Sequence, residues 1–330
     1  MWSPSFRDTW VNVYDSPQDV LTFDNVFVDM KTGLVIKDGQ VLWSAAVENL
    51  IWLDSWITAS PNWKNSISRM ELVVARMKKI QNYADSISYG SAFELAKGDY
   101  LHLLHPFGRY VYGHLFDTFQ KISAVAKRDL QGVIVSDQRE VVDFSDHLMA
   151  AGINEQNVIS QSIASLIFVP SLTFVRPLSH PTNFTVASYE FVRQNYFNYF
   201  NGPANSLGRK IFLTRRKGGY RRYLINSDEV ESRLNDIGVD IYDGSESLNT
   251  LFQAFASASH VSGVHGALFV NNIFSYESCR YLEFCPVKRP VTTFHDQYKR
   301  AKVYEHYLND CDDEYNISID LNKLMQFYAS

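Results

Sequence analysis

From residue 209 onward, short apolar runs alternate with amphipathic stretches, and that alternation limits the fold more than any other feature. KIFLTRR reads as a strand, DEVESRLNDIG as a helix and VDIYDG as a strand. SLNTLFQAFASA follows as a helix, HVSGVHG as a strand and turn, ALFVNNIF as a helix and RYLEFCP as a strand. Strands that alternate with helical crossovers form a parallel sheet. The earlier chain repeats the pattern more faintly, with GVIVSD (132–137), FSDHLMAAGI (144–153) and NVIS (157–160) as strand, helix and strand. Before these, NVFVDMKTGLVIKDGQVLW alternates around Gly33 and Asp38-Gly39 and predicts a small β-meander with a tight turn. The fold class is therefore α/β.

With 330 residues the chain suits two domains. The Pro- and Ser-rich stretch PSLTFVRPLSHPTN (170–183) is taken as the end of the first, giving domains 1–180 and 181–330. The last helix is left able to pack back on the first domain. Aromatics reach 14% and are assigned first to the core.

Composition also excludes functions. The net charge is −5, with no broad basic surface, so nucleic acid is not the expected partner. Cys279, Cys285 and Cys311 form no CxxC pair, which points to a reducing, cytoplasmic compartment. MWSPSFRDTW is not a signal peptide, and ASLIFVPSLTFV is too short and too broken by Pro170 to span a membrane. Peripheral attachment to the inner face of a membrane stays open. The sequons at Asn183 and Asn316 read as chance matches.

Chemistry concentrates in two places. The strand KIFLTRR ends in Arg215 and Arg216; Arg221, Arg222 and Asn226 follow, and Glu229 stands three residues beyond. Asn226 and Glu229 predict a helix start with a capping-box-like arrangement. The arginines suit an anion, because guanidinium forks match phosphate oxygens. The second place is SGVHGALFVNN. A strand closing at Gly263 and a helix opening at Ala267 would leave backbone N–H groups at a positive helix end, where phosphate binds. Gly266 would admit the ligand, and His265 would contact a phosphate leaving group. Glu283, in the apolar strand RYLEF, reads either as an acceptor for ribose hydroxyls or as a structural carboxylate. Asp310-Cys311-Asp312 is formally DxD, but in NDCDDEYN it reads as a solvated turn. No compact zinc-ligand motif occurs, and no metal or tightly bound cofactor is expected.

These motifs, in this order, resemble the carboxyl-terminal half of glycosyltransferase family 61 (DUF563). Arg215, Arg222, Asn226, Glu229, Ala258, Gly263, His265, Gly266, Ala267, Asn271, Glu283 and Pro286 stand at matching positions. GHLFD (113–117) is similar to the family's H-x-x-D segment. Leu268 and Leu251 depart from it, standing where many members carry glycine and glutamine.

The resemblance implies a GT-B-like plan, with two Rossmann-like domains facing across a cleft behind the small amino-terminal meander. It implies an inverting, metal-independent transfer from a nucleotide-sugar donor, UDP- or CMP-linked, to a saccharide acceptor in polysaccharide or lipopolysaccharide synthesis. Arg215, Arg216, Arg222, Asn226, Gly263, His265, Gly266, Ala267, Asn271 and Glu283 would form the donor side. The base would come from the first domain. His114 carries the family match, and Asp117 shares its helical face. A non-catalytic nucleotide- or sugar-binding protein, or another enzyme such as a nucleotide-sugar epimerase, is the rival reading.

Overall fold

The computed structural model describes residues 20–30, 32–42, 77–104, 121–135, 144–160, 163–175, 186–203, 208–215, 223–288 and 303–330. The chain divides into two compact units, 1–141 with 153–188, and 142–152 with 189–330. Each carries its own sheet. No helix among the described residues is long and apolar enough to cross a membrane.

The first unit is built on a mixed sheet. β1 (Val20–Asp29), β2 (Val35–Lys37) and β3 (Gln40–Val41) form the expected meander. Asp38 and Gly39 both have positive φ, 50° and 74°, as a two-residue hairpin turn with the twist of its strands requires. β4 (Phe93–Glu94), β5 (Asp99–His102), β6 (Gly132–Ile134), β7 (Val158–Ile159) and β8 (Leu166–Val175) complete the order β3-β2-β1-β8-β5-β6-β7, with β4 against β8. β6 and β7 run parallel, as the strand–helix–strand pattern predicts. The helix between them, Phe144–Ala150, groups with the second unit.

β8 corrects the expected break at Pro170. The strand runs through the proline and is central to the sheet. Proline offers no N–H to a ladder, so it needs a place where none is required. On one side the register steps from Val169 to Ser171 opposite Asn25, whose φ is 55°. On the other, Pro170 falls between the residues paired with β4 and those paired with β5.

The second unit has five parallel strands, β9 (Arg209–Leu213), β10 (Asp240–Tyr242), β11 (Ala258–Val264), β12 (Arg280–Pro286) and β13 (Val303–Asn309). Their order is β10-β9-β11-β12-β13, with every pair parallel. This is a doubly wound order, whose direction reverses between β9 and β11; such sheets bind ligands at that reversal, beyond the carboxyl ends of the strands.

The last helix, Leu321–Ala329, belongs to the second unit. Leu324, Phe327 and Tyr328 pack with Phe212, Val264 and Leu282 in the core of the second unit. The Tyr328 hydroxyl donates to Ile211 O at 2.5 Å and meets Ser262 Oγ at 2.7 Å. Aromatic residues fill this unit's core, as expected: Tyr196 and Phe252 lie 4.9 and 5.3 Å from Phe274, ring to ring.

Candidate functional site

The carboxyl ends of β9 and β11 bring two predicted elements together. Arg215 stands two residues beyond β9, and its Nη1 donates to His265 O at 3.1 Å. Burial lowers the guanidinium pKa from its ordinary value. A Cβ on Gly266 would lie 3.4 Å from Arg215 Nη1, an ordinary contact distance, so the arginine lies directly against the turn. Gly263 meets a harder limit: a Cβ there would sit 2.4 Å from Leu213 O. That glycine permits the close approach of β11 to β9 and is explained by packing.

The expected α-helix after Gly266 is a 3-10 helix, Ala267–Phe274. Gly266 itself is extended, with φ −179°. The His265 N–H, one of the expected anion donors, is engaged by Phe284 O at 2.9 Å. The Asn271 amide donates to Leu268 O at 3.0 Å and steadies the turn.

His265 and Glu283 are partners. Both are buried, at 3% and 1% exposure, with His265 Nδ1 2.5 Å from Glu283 Oε1. Tyr304 on β13 donates to Glu283 Oε2 at 2.5 Å. Burial first, and then the Glu283 charge, raise the Tyr304 pKa, which keeps the phenol a donor. Glu283 is thus a buried carboxylate engaged through both oxygens, as the structural reading of this residue expects. Tyr304 escaped sequence reasoning. Alternation in VYEHYLN could have revealed the strand, but not its register against Glu283.

The side-chain cap reading of Asn226 is corrected. It precedes the helix Ser227–Asp236 but makes no side-chain cap bond. Its amide donates to Ile319 O at 3.1 Å and its carbonyl accepts from Ile319 N–H at 3.0 Å. Nearby, Tyr223 N–H donates to Asn316 Oδ1 at 3.0 Å, and Leu224 N–H to Arg215 O at 2.8 Å. Asn226 therefore ties 316–319 to the residues beyond the basic segment. His114, Asp117, Arg216 and Arg222 lie outside the described residues.

His265, Glu283 and Cys285 place one ligand atom each within 4.8 Å of one another, a donor set compatible with a metal ion. His265 and Glu283 already bond each other through Nδ1 and Oε1. The DxD stretch is a turn, as expected: Asp312 accepts from the backbone of Glu314 and Asn316 and from the Asn316 amide. Cys279, Cys285 and Cys311 are free thiols.

No curated protein matches the chain. Among solved structures it is similar to E. coli heptosyltransferase WaaC with ADP, and to the same enzyme with ADP-2-deoxy-2-fluoro heptose. Each alignment has 11% identity and a TM-score of 0.35 and covers 70% of this chain and 98% of that one, a likeness too low to carry an argument. The family model described as Glycosyltransferase 61 matches residues 112–282, just over half the chain. That match spans the arginine strand, the glycine–histidine turn and the start of β12, and the chain belongs to glycosyltransferase family 61.

Proposed function

We propose that this glycosyltransferase performs an inverting, metal-independent transfer from a nucleotide sugar, UDP- or CMP-linked, to a saccharide acceptor. The proposed plan is GT-B-like, with domain 181–330 holding the donor and domain 1–180 supplying the acceptor side. The observation that carries it is the Arg215–His265 contact at the β9/β11 reversal, where a parallel sheet of this order takes its ligand.

The acceptor hydroxyl oxygen attacks the anomeric carbon. The bond from that carbon to the phosphate oxygen breaks, and its electron pair stays on the phosphate. The hydroxyl proton passes to a base, His114 or Asp117. Arg215, with Arg216 and Arg222, meets the charge that grows on the leaving phosphate, and the amides opening the 3-10 turn add donors. Stabilisation by such fixed donors requires no metal. Asp312 of the DxD pair serves its own turn. Transfer is expected to feed cell-surface polysaccharide or lipopolysaccharide assembly at the cytoplasmic side of the membrane.

Thermal shift against UDP, CMP, GDP and TDP tests the donor site: one nucleotide should stabilise the protein clearly. No response to any of the four sinks the reading. Arg222→Ala should weaken that response. His114→Ala or Asp117→Ala should preserve it while lowering transfer about 100-fold or more. Full transfer in both variants would remove the base assignment. Transfer unchanged by a chelator is the expected result for metal independence, and loss restored by added divalent ion the contrary one.

A further inference from the structure

We infer that Glu283 and Tyr304 are positioning residues of the donor site, acting through His265; the inference rests on the donor-site reading above. Three strands supply the arrangement. His265 follows the end of β11, Glu283 lies within β12 opposite Gly263, and Tyr304 lies on β13 opposite Tyr281. Two side chains grip one carboxylate, Nδ1 of His265 on Oε1 and the Tyr304 hydroxyl on Oε2. The His265 backbone is held as well, its N–H by Phe284 O and its carbonyl by Arg215. Ring and peptide are thus anchored from three directions.

A buried carboxylate bonded to an imidazole is a poor stabilising device, since an apolar replacement of similar volume is often as stable. The imidazole of this pair stands at the carboxyl end of β11, beside the arginine that reaches the turn. A carboxylate only accepts, so Nδ1 carries the proton that Glu283 receives. The bond at one ring nitrogen sets the state of the other. Proton exchange or hydrogen bonding with a leaving phosphate therefore passes through Nε2. Tyr304 closes the second oxygen of Glu283, which keeps the carboxylate from rotating away from the imidazole.

A mutant cycle separates positioning from mere structure. Glu283→Gln should lower kcat about 10–100-fold, the range seen when such supporting partners are removed, with the donor KM within about twofold. In a His265→Gln background the same change should cost less than about twofold, because the residue it acts through is gone. Equal losses in both backgrounds overturn the inference. So does an unchanged kcat in folded Glu283→Gln. If Glu283→Gln does not fold, Tyr304→Phe enters the same cycle with the same criterion.

Nitrogen-15 spectra of the histidine rings, assigned by the signal lost in His265→Gln, give a readout independent of nucleotide. Nδ1 of His265 should be protonated in the wild type, and Tyr304→Phe should shift that signal. A wild-type ring protonated only on Nε2 overturns the inference. Absence of nucleotide-induced stabilisation with Nδ1 protonated removes the donor-site reading instead.

Discussion

Two buried histidines stand at the carboxyl ends of parallel strands, one in each unit, and they differ in what holds them. His102 ends β5, is 2% exposed, and donates from Nε2 to Gly33 O at 2.9 Å. Its Nδ1 has no hydrogen-bond partner among the described residues. Burial, with a smaller contribution from Lys121, holds its pKa down to about 3. His265 follows β11, is equally buried, and has a carboxylate at 2.5 Å with a tyrosine behind it. Burial alone leaves a histidine neutral, as a core residue. His265 adds a carboxylate partner at the same depth, which His102 does not show.

Replacing each histidine by leucine should separate the two most. His265→Leu leaves Glu283 buried without its imidazole and should cost about 3–5 kcal/mol. His102→Leu leaves only Gly33 O without its donor and should cost about 1–3 kcal/mol. Urea denaturation reads both, and equal costs would erase the contrast. Acid gives the next effect. The folded pKa of His102 lies below its ordinary value of 6.5, so the unfolded chain takes up the proton first. Its contribution is complete above about pH 6.5 and declines as pH falls towards 3. Between pH 7 and 5 the loss is about 2 kcal/mol. His147, also held down to about 3 by burial, should add a similar loss. His102→Phe should abolish the His102 share, and an unchanged pH dependence would show that His102 is not buried neutral.

The glycine next to each histidine sharpens the comparison further. Gly263→Ala drives a Cβ into the backbone of β9 and should cost about 1–3 kcal/mol. It should also blunt any nucleotide-induced thermal shift. Gly33→Ala, at φ +73° with Leu104 Cβ 3.1 Å away, should cost about 1–2 kcal/mol without touching nucleotide binding. Tyr304→Phe should show the smallest effect on stability, about 1 kcal/mol by denaturation.

The second unit was largely legible because its strands are apolar runs separated by amphipathic helices. IFL, HVSGV and YLEF all proved to be strands of one parallel sheet. The hairpin at Asp38-Gly39 was legible for a local reason, the need for positive φ at both positions. β8 was hidden because proline is a strong local break, and only its neighbours' register shows why this one is tolerated. β13 was hidden because VYEHYLN is polar for a strand; it lies at the edge of its sheet. At the site, Arg215, Gly266 and His265 announced themselves by type and spacing. Asn226 misled, because any asparagine before a helix suggests a cap, while its partner Ile319 is 93 residues away. Glu283's true partners likewise depend on strand register, which no single stretch encodes.

That distant stitching has a consequence in time. The Asp38-Gly39 hairpin joins neighbours and can close in about microseconds. The connection from Arg215 to Leu224 closes locally, yet Asn226 beyond it waits for Ile319, and Tyr223 for Asn316. Such contacts between remote positions form late, because the chain between them must first lose its freedom. Refolding followed by nucleotide binding should therefore lag behind refolding followed by far-ultraviolet dichroism: the molecule acquires its backbone order before it acquires a place to hold a donor.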